Sequence, residues 1–247
     1  ARLVKDINTE TVARGSFPQW FSNHGGSATF FARGDQGRYG VWRTDGTEEG
    51  TARIPLKCDP PGCRRVWSGA SKALYQTVAG DLWLLAATPG TATLLLAGSR
   101  AVAAFDSEVP PTALAGGKLL FVANSSAAGR ELWITDFTPN GTRLVKDLWP
   151  GAADSLPTEM TWWQGRLYFF ALRSAGDWAL WKSDGTPSGT RLVFDFNPRS
   201  PDEGPDPQIL GATAGGLVVN VWTPSRGLEL WVTRGTGETT KPLPEIV

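Results

Sequence analysis

One phrase recurs five times along the chain, and this internal repeat constrains the fold more than any other feature. The sequence reads "LWKSDGTPSGTRLV" from residue 180, "LWITDFTPNGTRLV" from 132 and "VWRTDGTEEGTARI" from 41. Two weaker copies read "LWLLAATPGTATLL" from 82 and "LWVTRGTGETTKPL" from 230. A fixed long period is the signature of repeat architectures, so we infer that one supersecondary unit was duplicated.

Each unit has the pattern of four short strands. In the clearest unit the runs "PTEMTWWQG", "RLYFFALRS", "DWALWKSD" and "TRLVFDF" are rich in β-branched and aromatic residues, and turn-forming residues separate them. Four such strands with short connections form an antiparallel meander. The unit is close in length to a propeller blade of about 40 to 50 residues.

The spacing of the repeat tryptophans gives the number of units. Trp42, Trp83, Trp133, Trp181 and Trp231 are separated by 41, 50, 48 and 50 residues. Apolar pairs in the second strands keep the same period, and no convincing amphipathic helix interrupts it. We therefore predict an all-β protein in which residues 1–247 form one five-bladed β-propeller domain, with four antiparallel strands per blade.

The recurring Asp-Gly-Thr is typical of a capped turn. Asp184 can accept hydrogen bonds from backbone amides two residues on, and Gly185 supplies the permissive backbone of a tight reversal. At 137 a Phe replaces this glycine, and we expect Phe137 to keep a negative φ. The alternative is a calcium loop, although one carboxylate per loop falls short of the six to eight oxygen ligands that calcium takes.

The repeat tryptophan alternates with polar neighbours, so one face of the third strand is expected to be buried. A large side chain at the same place in every unit is suited to packing one blade against the next. The alternative is a ring of aromatic residues that stack on a ligand.

The stretch "ELWITDFTPNGTRLVKDLWPG" from Glu131 resembles a bacterial repeat family named for its Glu-Leu-Trp-x-x-Asp-Gly-Thr signature. In that family the signature precedes "xxGTxLVKDIxPG", a Ser-Pro segment and an "xLYFxA" strand, and "RLVKDLWPGAADSLPTEMTWWQGRLYFFA" from Arg143 keeps this order. The resemblance is strong in the first, third and fourth units. It implies a β-propeller-like fold and a secreted or cell-surface location in a bacterium.

The two ends of the chain compete for one outer strand. The N-terminal "ARLVKD" matches "TRLVKD" at 142–147, whereas "TKPLPEIV" occupies the fourth-strand place of the last unit. Pro242 and Pro244 weaken the C-terminal candidate. We therefore expect Leu3–Lys5 to pair in the last blade and close the ring, which would leave no open strand edge.

Composition and charge exclude several classes of protein. Lys plus Arg and Asp plus Glu both number 24, and no basic stripe typical of a nucleic-acid binder occurs. No apolar run reaches the roughly 18 residues of a membrane span. Any export signal is absent or already removed. We predict a monomer without a cofactor or a metal ion.

The two cysteines, Cys58 and Cys63, stand in "CDPPGC". They are either two unpaired thiols in a polar loop or a short-range disulfide across the Pro-Pro-Gly turn. A disulfide would place the protein outside a reducing cytosol. Zinc binding is not expected, because two sulfurs without a nearby histidine leave the metal short of ligands.

No catalytic constellation is visible. The single histidine, His24, lies in a predicted hairpin and has no "GxSxG" motif to serve. Acidic residues precede or enter the first strands and would cluster near one end of a channel: Glu108, Asp154, Glu159, Asp202, Glu203 and Asp206. Solvated loop charges are the simpler interpretation. The alternative is a carbohydrate-active hydrolase or lyase that uses a pair of them.

The remaining tryptophans suggest a recognition surface. Trp162 and Trp163 are adjacent, so their side chains must point to opposite faces of a strand, and we expect one of them to face the channel or solvent. Exposed aromatic rings beside amides and acids are suited to a sugar or a protein partner. We predict a non-catalytic binding module with these ligand-binding candidates: Trp20, Trp67, Trp149, Trp162, Trp163, Glu159, Asp154 and Asp206.

Overall fold

A computed structural model of the chain describes residues 3–9, 15–24, 26–56, 63–69, 71–86, 92–97, 112–114, 116–196 and 205–244. Its regular structure is almost all β. Two short 3₁₀ turns, Asp35–Gly37 and Gly237–Thr239, are the helical elements of these residues. The predicted all-β class is confirmed.

In the described residues, twenty strands form five separate antiparallel sheets of four strands each. Sheet 1 contains β1 (Gln19–His24), β2 (Ser27–Arg33), β3 (Tyr39–Thr44) and β4 (Ala52–Arg53). Sheet 2 contains β5 (Cys63–Ser68), β6 (Lys72–Thr77), β7 (Leu82–Ala86) and β8 (Ala92–Leu96). Sheet 3 contains β9 (Thr112–Leu114), β10 (Lys118–Ser125), β11 (Gly129–Thr135) and β12 (Arg143–Lys146).

Sheet 4 contains β13 (Thr158–Trp163), β14 (Arg166–Leu172), β15 (Trp178–Ser183) and β16 (Arg191–Asp195). Sheet 5 contains β17 (Gln208–Thr213), β18 (Gly216–Thr223), β19 (Gly227–Thr233) and β20 (Lys241–Pro242). In every sheet the strands lie in chain order, so each repeat is one meander, as its sequence pattern predicts. The repeat tryptophan is always on the third strand.

The chain divides into two compact units. One comprises Ala1–Ala104 with Phe137–Asn140 and holds sheets 1 and 2. The other comprises Phe105–Asp136 with Gly141–Val247 and holds sheets 3, 4 and 5. The single domain predicted for residues 1–247 stays a prediction.

The repeat tryptophans fill the space between successive sheets of a unit. Trp181 lies in a cluster that joins Leu120 and Leu132 of sheet 3 to Leu167 and Phe169 of sheet 4. Trp231 packs in the corresponding cluster between sheets 4 and 5, and Trp83 packs against the cluster between sheets 1 and 2. The interpretation of these residues as packing residues is confirmed for these three copies.

The turn after the third strand has the predicted Asx geometry. Asp184 Oδ1 accepts a hydrogen bond from the Thr186 backbone N–H at 3.0 Å and from the Thr186 hydroxyl at 2.6 Å. Asp45 binds Thr47 in the same way, at 2.9 and 2.7 Å. The bond from the Thr186 hydroxyl is the main reason that the pKa of Asp184 lies below its ordinary value.

The second Gly-Thr of the phrase closes the turn by close packing. A Cβ atom at Gly189 would lie 1.9 Å from Asp184 Oδ1, so only glycine leaves room for the carboxylate. Thr190 then places its hydroxyl 2.7 Å from that of Ser183. The same 2.7 Å hydroxyl pair occurs in three other copies: Thr44–Thr51, Thr135–Thr142 and Thr233–Thr240.

The fifth copy reaches the same turn with different residues. Arg234 stands in place of the aspartate, and Thr239 stands in place of the second glycine. The Thr239 hydroxyl now accepts the hydrogen bond from the Thr236 N–H, at 3.3 Å, that the aspartate accepts elsewhere. Because Arg234 has no carboxylate at this place, a side chain at position 239 does not clash with one. The replacement of the aspartate and the replacement of the glycine therefore compensate each other.

Phe137 corrects one prediction. Its φ is +69°, not negative, and the glycines at the same turn position, Gly46, Gly185 and Gly235, have φ between +83° and +90°. The turn therefore imposes a left-handed backbone even on a bulky residue, at a cost of about 1–2 kcal/mol. The Phe137 ring is buried, and its centroid lies 5.3 Å from that of Trp67 and 4.4 Å from the Lys72 ammonium. These contacts offset the strain.

The predicted use of the chain ends is also corrected. The tail supplies the fourth strand of sheet 5, because Pro242 lies opposite Trp231 in β20, and Leu3–Lys5 belongs to no strand. Proline is tolerated on this edge strand, where the ladder continues through a 2.8 Å bond from the Leu243 N–H to the Leu230 carbonyl.

Lysine side chains reach forward to the turn of the following copy. The Lys5 ammonium donates to the Thr51 carbonyl at 2.9 Å, and Lys146 donates to the Thr190 carbonyl at 3.0 Å. Lys182 donates to the Gly235 carbonyl at 2.7 Å. Lys5 and Lys146 occupy the same place in "RLVKD", so the N-terminal segment behaves as the predicted fourth-strand equivalent in this contact, although it is unpaired.

We expect Trp181→Ala to lower the free energy of unfolding by about 3–5 kcal/mol, because a large buried side chain is removed between two sheets. Trp181→Phe should cost clearly less, since the indole N–H of Trp181 has no hydrogen-bond partner to lose. Urea unfolding of both variants measures the difference. A Trp181→Ala protein as stable as the parent would contradict the packing role.

The compensation in the fifth copy predicts a coupled pair in the fourth. Gly189→Thr alone should cost about 1–3 kcal/mol through the clash with Asp184, and Asp184→Arg alone about 1 kcal/mol through the lost turn bonds. The double variant should cost less than the sum by more than about 1 kcal/mol, as measured by a double-mutant cycle. Simple additivity would show that the two positions do not interact.

Candidate functional site

The first strands of four sheets contain a β-bulge at the same place. In sheet 1, Trp20 and Phe21 lie between the pairs Gln19–Phe31 and Ser22–Thr29, so two residues oppose Phe30 alone. Equivalent register shifts occur in β5, β13 and β17.

The residues at the first bulge position are Trp20, Arg65, Glu159 and Ile209. Those at the second are Phe21, Val66, Met160 and Leu210. The second position is always apolar, whereas the first is aromatic, basic, acidic or aliphatic.

Trp20 is an exposed first-position residue. It is 63% exposed, and its φ of +57° lies in the left-handed region. One edge of the ring packs on Phe31, with centroids 5.2 Å apart in a T-shaped arrangement. A strained backbone that presents a large aromatic ring to solvent is unfavourable for stability, and such strain is concentrated at functional sites.

Two further aromatic residues close to Trp20 in the sequence are also exposed. Phe17 is 61% exposed with φ +43°, and Phe21 is 58% exposed and stacks on Phe30 at 5.1 Å between centroids. The amide residues Gln19 and Asn23 are exposed beside them, and residues 15–23 contain no charged side chain. We call Phe17, Gln19, Trp20, Phe21 and Asn23 the aromatic surface. Trp20 is among the predicted ligand-binding residues, whereas Phe17 and Phe21 are not, although the uncharged, aromatic run "FPQWF" indicates all three.

Glu159 occupies the first bulge position of sheet 4 and has the same backbone as Trp20, with φ +56°. Its Oε2 accepts a hydrogen bond from the Ile209 backbone N–H at 3.1 Å. The carboxylate therefore ties sheet 4 to the bulge of sheet 5. This predicted ligand-binding residue has a structural contact of its own.

The other predicted tryptophans are half-buried and pack on apolar residues. Trp67 packs on Phe137. Trp149 and Trp163 pack on the cluster between sheets 4 and 5, and Trp162 packs on the cluster between sheets 3 and 4. Trp162 and Trp163 do point to opposite faces of β13, as alternation requires. The expectation that one of them faces a channel or solvent is wrong, because both meet a core.

The predicted acidic residues are dispersed. Asp154 Oδ1 accepts a hydrogen bond from the Arg130 N–H at 2.8 Å, which anchors its loop. Asp206 is exposed. Glu108, Asp202 and Glu203 lie outside the described residues. His24 is the last residue of β1, opposite Ser27 in the predicted hairpin.

A small cleft lies between sheets 4 and 5. It is lined by Trp178, Phe196, Val221 and Trp222 with two prolines, Pro205 and Pro207, and it encloses about 220 Å³, part of which is open to solvent. Asp206 stands between the two prolines. The cleft has room for about one water molecule, and it lies next to a predicted residue, Asp206.

Two carboxyl groups near this cleft are already engaged. Arg173 Nη1 lies 2.5 Å from Asp195 Oδ2, and Arg173 Nε lies 3.6 Å from Asp177 Oδ2. Burial, reinforced by the Asp195 charge, raises the pKa of Asp177. The arginine neutralises this pair, which makes it a structural network and a poor source of a free acid and nucleophile.

Besides the aromatic and acidic residues, the features that bear on a site are the cysteines, candidate metal ligands and candidate membrane-spanning helices. Cys63 is disulfide-bonded, and Cys58, the only other cysteine in the sequence, lies outside the described residues. Within the described ranges, no group of three or more His, Cys, Asp or Glu side chains is placed to hold a metal ion. No helix in those ranges is long and apolar enough to cross a membrane.

No protein-family profile and no curated protein sequence matches the chain. Solved structures similar to it over 92% of its length include one from a study of two prolyl endopeptidases, with a TM-score of 0.45 and 12% identity. Others are the β-propeller domain of the Trilobed protease from Pyrococcus furiosus, with an open velcro topology (TM-score 0.40, 13% identity), and the computationally designed Ika8 protein (0.41, 13%). The chain spans 35%, 84% and 60% of these three proteins. Similarity of this kind carries no information on activity.

The two left-handed bulge residues should respond differently to substitution. Trp20→Gly should leave the free energy of unfolding unchanged or raise it by up to about 1 kcal/mol, because glycine adopts this φ without strain. Glu159→Ala should lower it by about 1–2 kcal/mol, because the Ile209 N–H loses its partner. Chemical denaturation measures both. A loss of more than about 2 kcal/mol for Trp20→Gly would show that Trp20 is retained for stability.

Proposed function

We propose that the chain is a five-bladed β-propeller that acts as a non-catalytic binding module, secreted or on the cell surface of a bacterium. Its partner is a glycan or a protein, recognised through the aromatic surface. The observation that carries this proposal is Trp20, a strained residue whose large ring is 63% exposed. Natural proteins retain such residues for function and lose stability for it.

The chemistry of the aromatic surface suits an uncharged ligand face. Flat rings such as Trp20 and Phe17 offer apolar contact, and the amides of Gln19 and Asn23 offer directional hydrogen bonds. The disulfide at Cys63 supports a location outside a reducing cytosol. The five equal meanders, with tryptophans packed between successive sheets of a unit, support the propeller.

The bulge allows the exposed side chain to differ from sheet to sheet while the strand pairing stays the same. The bulge interrupts the regular ladder, and the side chain at its first position varies from Trp20 to Arg65 to Ile209. Specificity can therefore change there without loss of strand pairing. This is the pattern expected of a scaffold that carries a recognition surface.

The test compares Trp20→Ala with Leu210→Ala on an array of immobilised neutral and acidic oligosaccharides and on a phage-displayed peptide library. Leu210 is 54% exposed in the bulge of sheet 5, so it is a matched control for loss of an exposed apolar side chain. Trp20→Ala should weaken binding at least about tenfold at unchanged stability, and Leu210→Ala should not. Equal binding by parent and Trp20→Ala proteins would reject the aromatic surface. Turnover of a polysaccharide would favour the hydrolase or lyase alternative.

A further inference from the structure

Glu131, on β11 of sheet 3, has a carboxyl group without access to solvent. The residue is 0% exposed. Its Oε1 accepts a hydrogen bond from the Trp149 backbone N–H at 3.3 Å, and its carboxyl group also has hydrogen bonds with Ser155 and the Leu148 N–H. Its Oε2 is buried with no partner. A charged oxygen in this position would be costly, because neither water nor a counter-ion solvates it.

A second buried carboxylate oxygen lies near the first. Asp147 follows β12, and its Oδ2 accepts a hydrogen bond from the Gly151 N–H at 3.1 Å, whereas its Oδ1 is buried without a partner. The charge of Asp147 acts unfavourably on an ionised Glu131. In the described part of the chain, no lysine or arginine forms an ion pair with either group. Two neighbouring carboxylates without a counter-ion cannot both be charged at low cost.

Sheet 4 provides an internal comparison. Asp195 occupies the place of Asp147 after the outer strand, and the nearby carboxyl is that of Asp177. There Arg173 supplies the positive charge, 2.5 Å from Asp195. In sheet 3 the residue at the place of Arg173 is Ser125, as the β10–β11 and β14–β15 registers show. The third sheet therefore has an acid pair without the arginine, and in this register Glu131 corresponds to Ala179, not to Asp177.

The loop of residues 147–155 covers Glu131, and we call it the strap. It passes directly over Gly129, where a Cβ atom would lie 2.1 Å from the Ala153 carbonyl oxygen. Its far end is held at Arg130, whose N–H donates to Asp154 at 2.8 Å and whose carbonyl accepts from the Ser155 N–H at 3.1 Å. The bond to Glu131 holds its middle.

We infer that the strap is pH-sensitive: it is closed while Glu131 carries a proton and is released when that proton is lost. The proton replaces the missing arginine, because it neutralises one member of the acid pair. Loss of the proton leaves two buried negative charges, and opening of the strap relieves them by admitting water. A bound calcium ion would also neutralise the pair, but two carboxylates are far fewer than the ligands that calcium takes.

The sign and the pH window follow from the two states of Glu131. Burial, with a smaller contribution from Asp147, raises the pKa of Glu131 from 4.5 to about 7 in the closed state. The open strap returns the carboxyl group to its ordinary pKa. Between these values the open state has already lost a proton that the closed state keeps, so a rise in pH favours opening. The effect grows across this window and levels off above about pH 7.

Hydrogen exchange of the full chain tests the inference. Exchange of residues 147–156 is measured at pH 5, 6, 7 and 8, corrected for intrinsic rates, with β14 as the reference segment. We expect the opening equilibrium of the strap to increase on the order of 100-fold from pH 5 to pH 8, while β14 stays constant. Glu131→Gln, which cannot ionise, should give a flat profile.

Two further variants make the test specific. Glu229→Gln alters the Glu-Leu-Trp glutamate of sheet 5, which is only partly buried, and should keep the parent profile. Asp147→Asn removes the repelling charge and so lowers the closed-state pKa of Glu131; the rise should become smaller and end at a lower pH, which tests the inference if Glu131→Gln does not fold. Equal profiles for parent and Glu131→Gln proteins overturn the inference. The inference is also overturned if about 1 mM CaCl₂ closes the strap of the parent protein at pH 8, because a cation would then neutralise the pair in place of the proton.

Discussion

The contact on which the rest of the structure depends is an indole ring held between two successive sheets. A four-stranded meander buries little by itself, because one of its faces stays open until another sheet covers it. Trp181 and Trp231 each cover such a face in the second unit, and Trp83 does so in the first. The repeat is therefore a unit that becomes stable only with a neighbour, which explains why it occurs in series.

The turns, in contrast, are self-sufficient. Asp184, Thr186 and Thr190 satisfy one another within a few residues, so the turn forms without help from the next sheet. The residues that close the turn are thus different from the residues that pack one sheet against the next. The fifth copy could exchange both turn residues, as Arg234 and Thr239 show, because the replacement needed to work only inside the turn.

The sequence was sufficient for the parts of the fold that depend on periodicity. The tryptophan spacing predicted five four-stranded meanders, and Asp184 predicted the Asx-turn. Side-chain direction in the first strands could not be predicted, because a bulge exchanges the two faces of a strand and leaves no mark in composition. For this reason the core clusters that Trp162 and Trp163 contact could not be predicted. The predictions for Phe137 and Pro242 rested on the intrinsic backbone preferences of phenylalanine and proline, and tertiary contacts overrode those preferences.

The forward-reaching lysines have a consequence for synthesis. Lys5, Lys146 and Lys182 precede their acceptor residues by 46, 44 and 53 residues, so the ribosome produces the donor first. When each acceptor turn leaves the ribosome, the lysine that donates to it has already been synthesised. Assembly in the direction of translation is thereby favoured at every such step. A chain permuted to start between one of these lysines and its acceptor turn would make that acceptor before its donor.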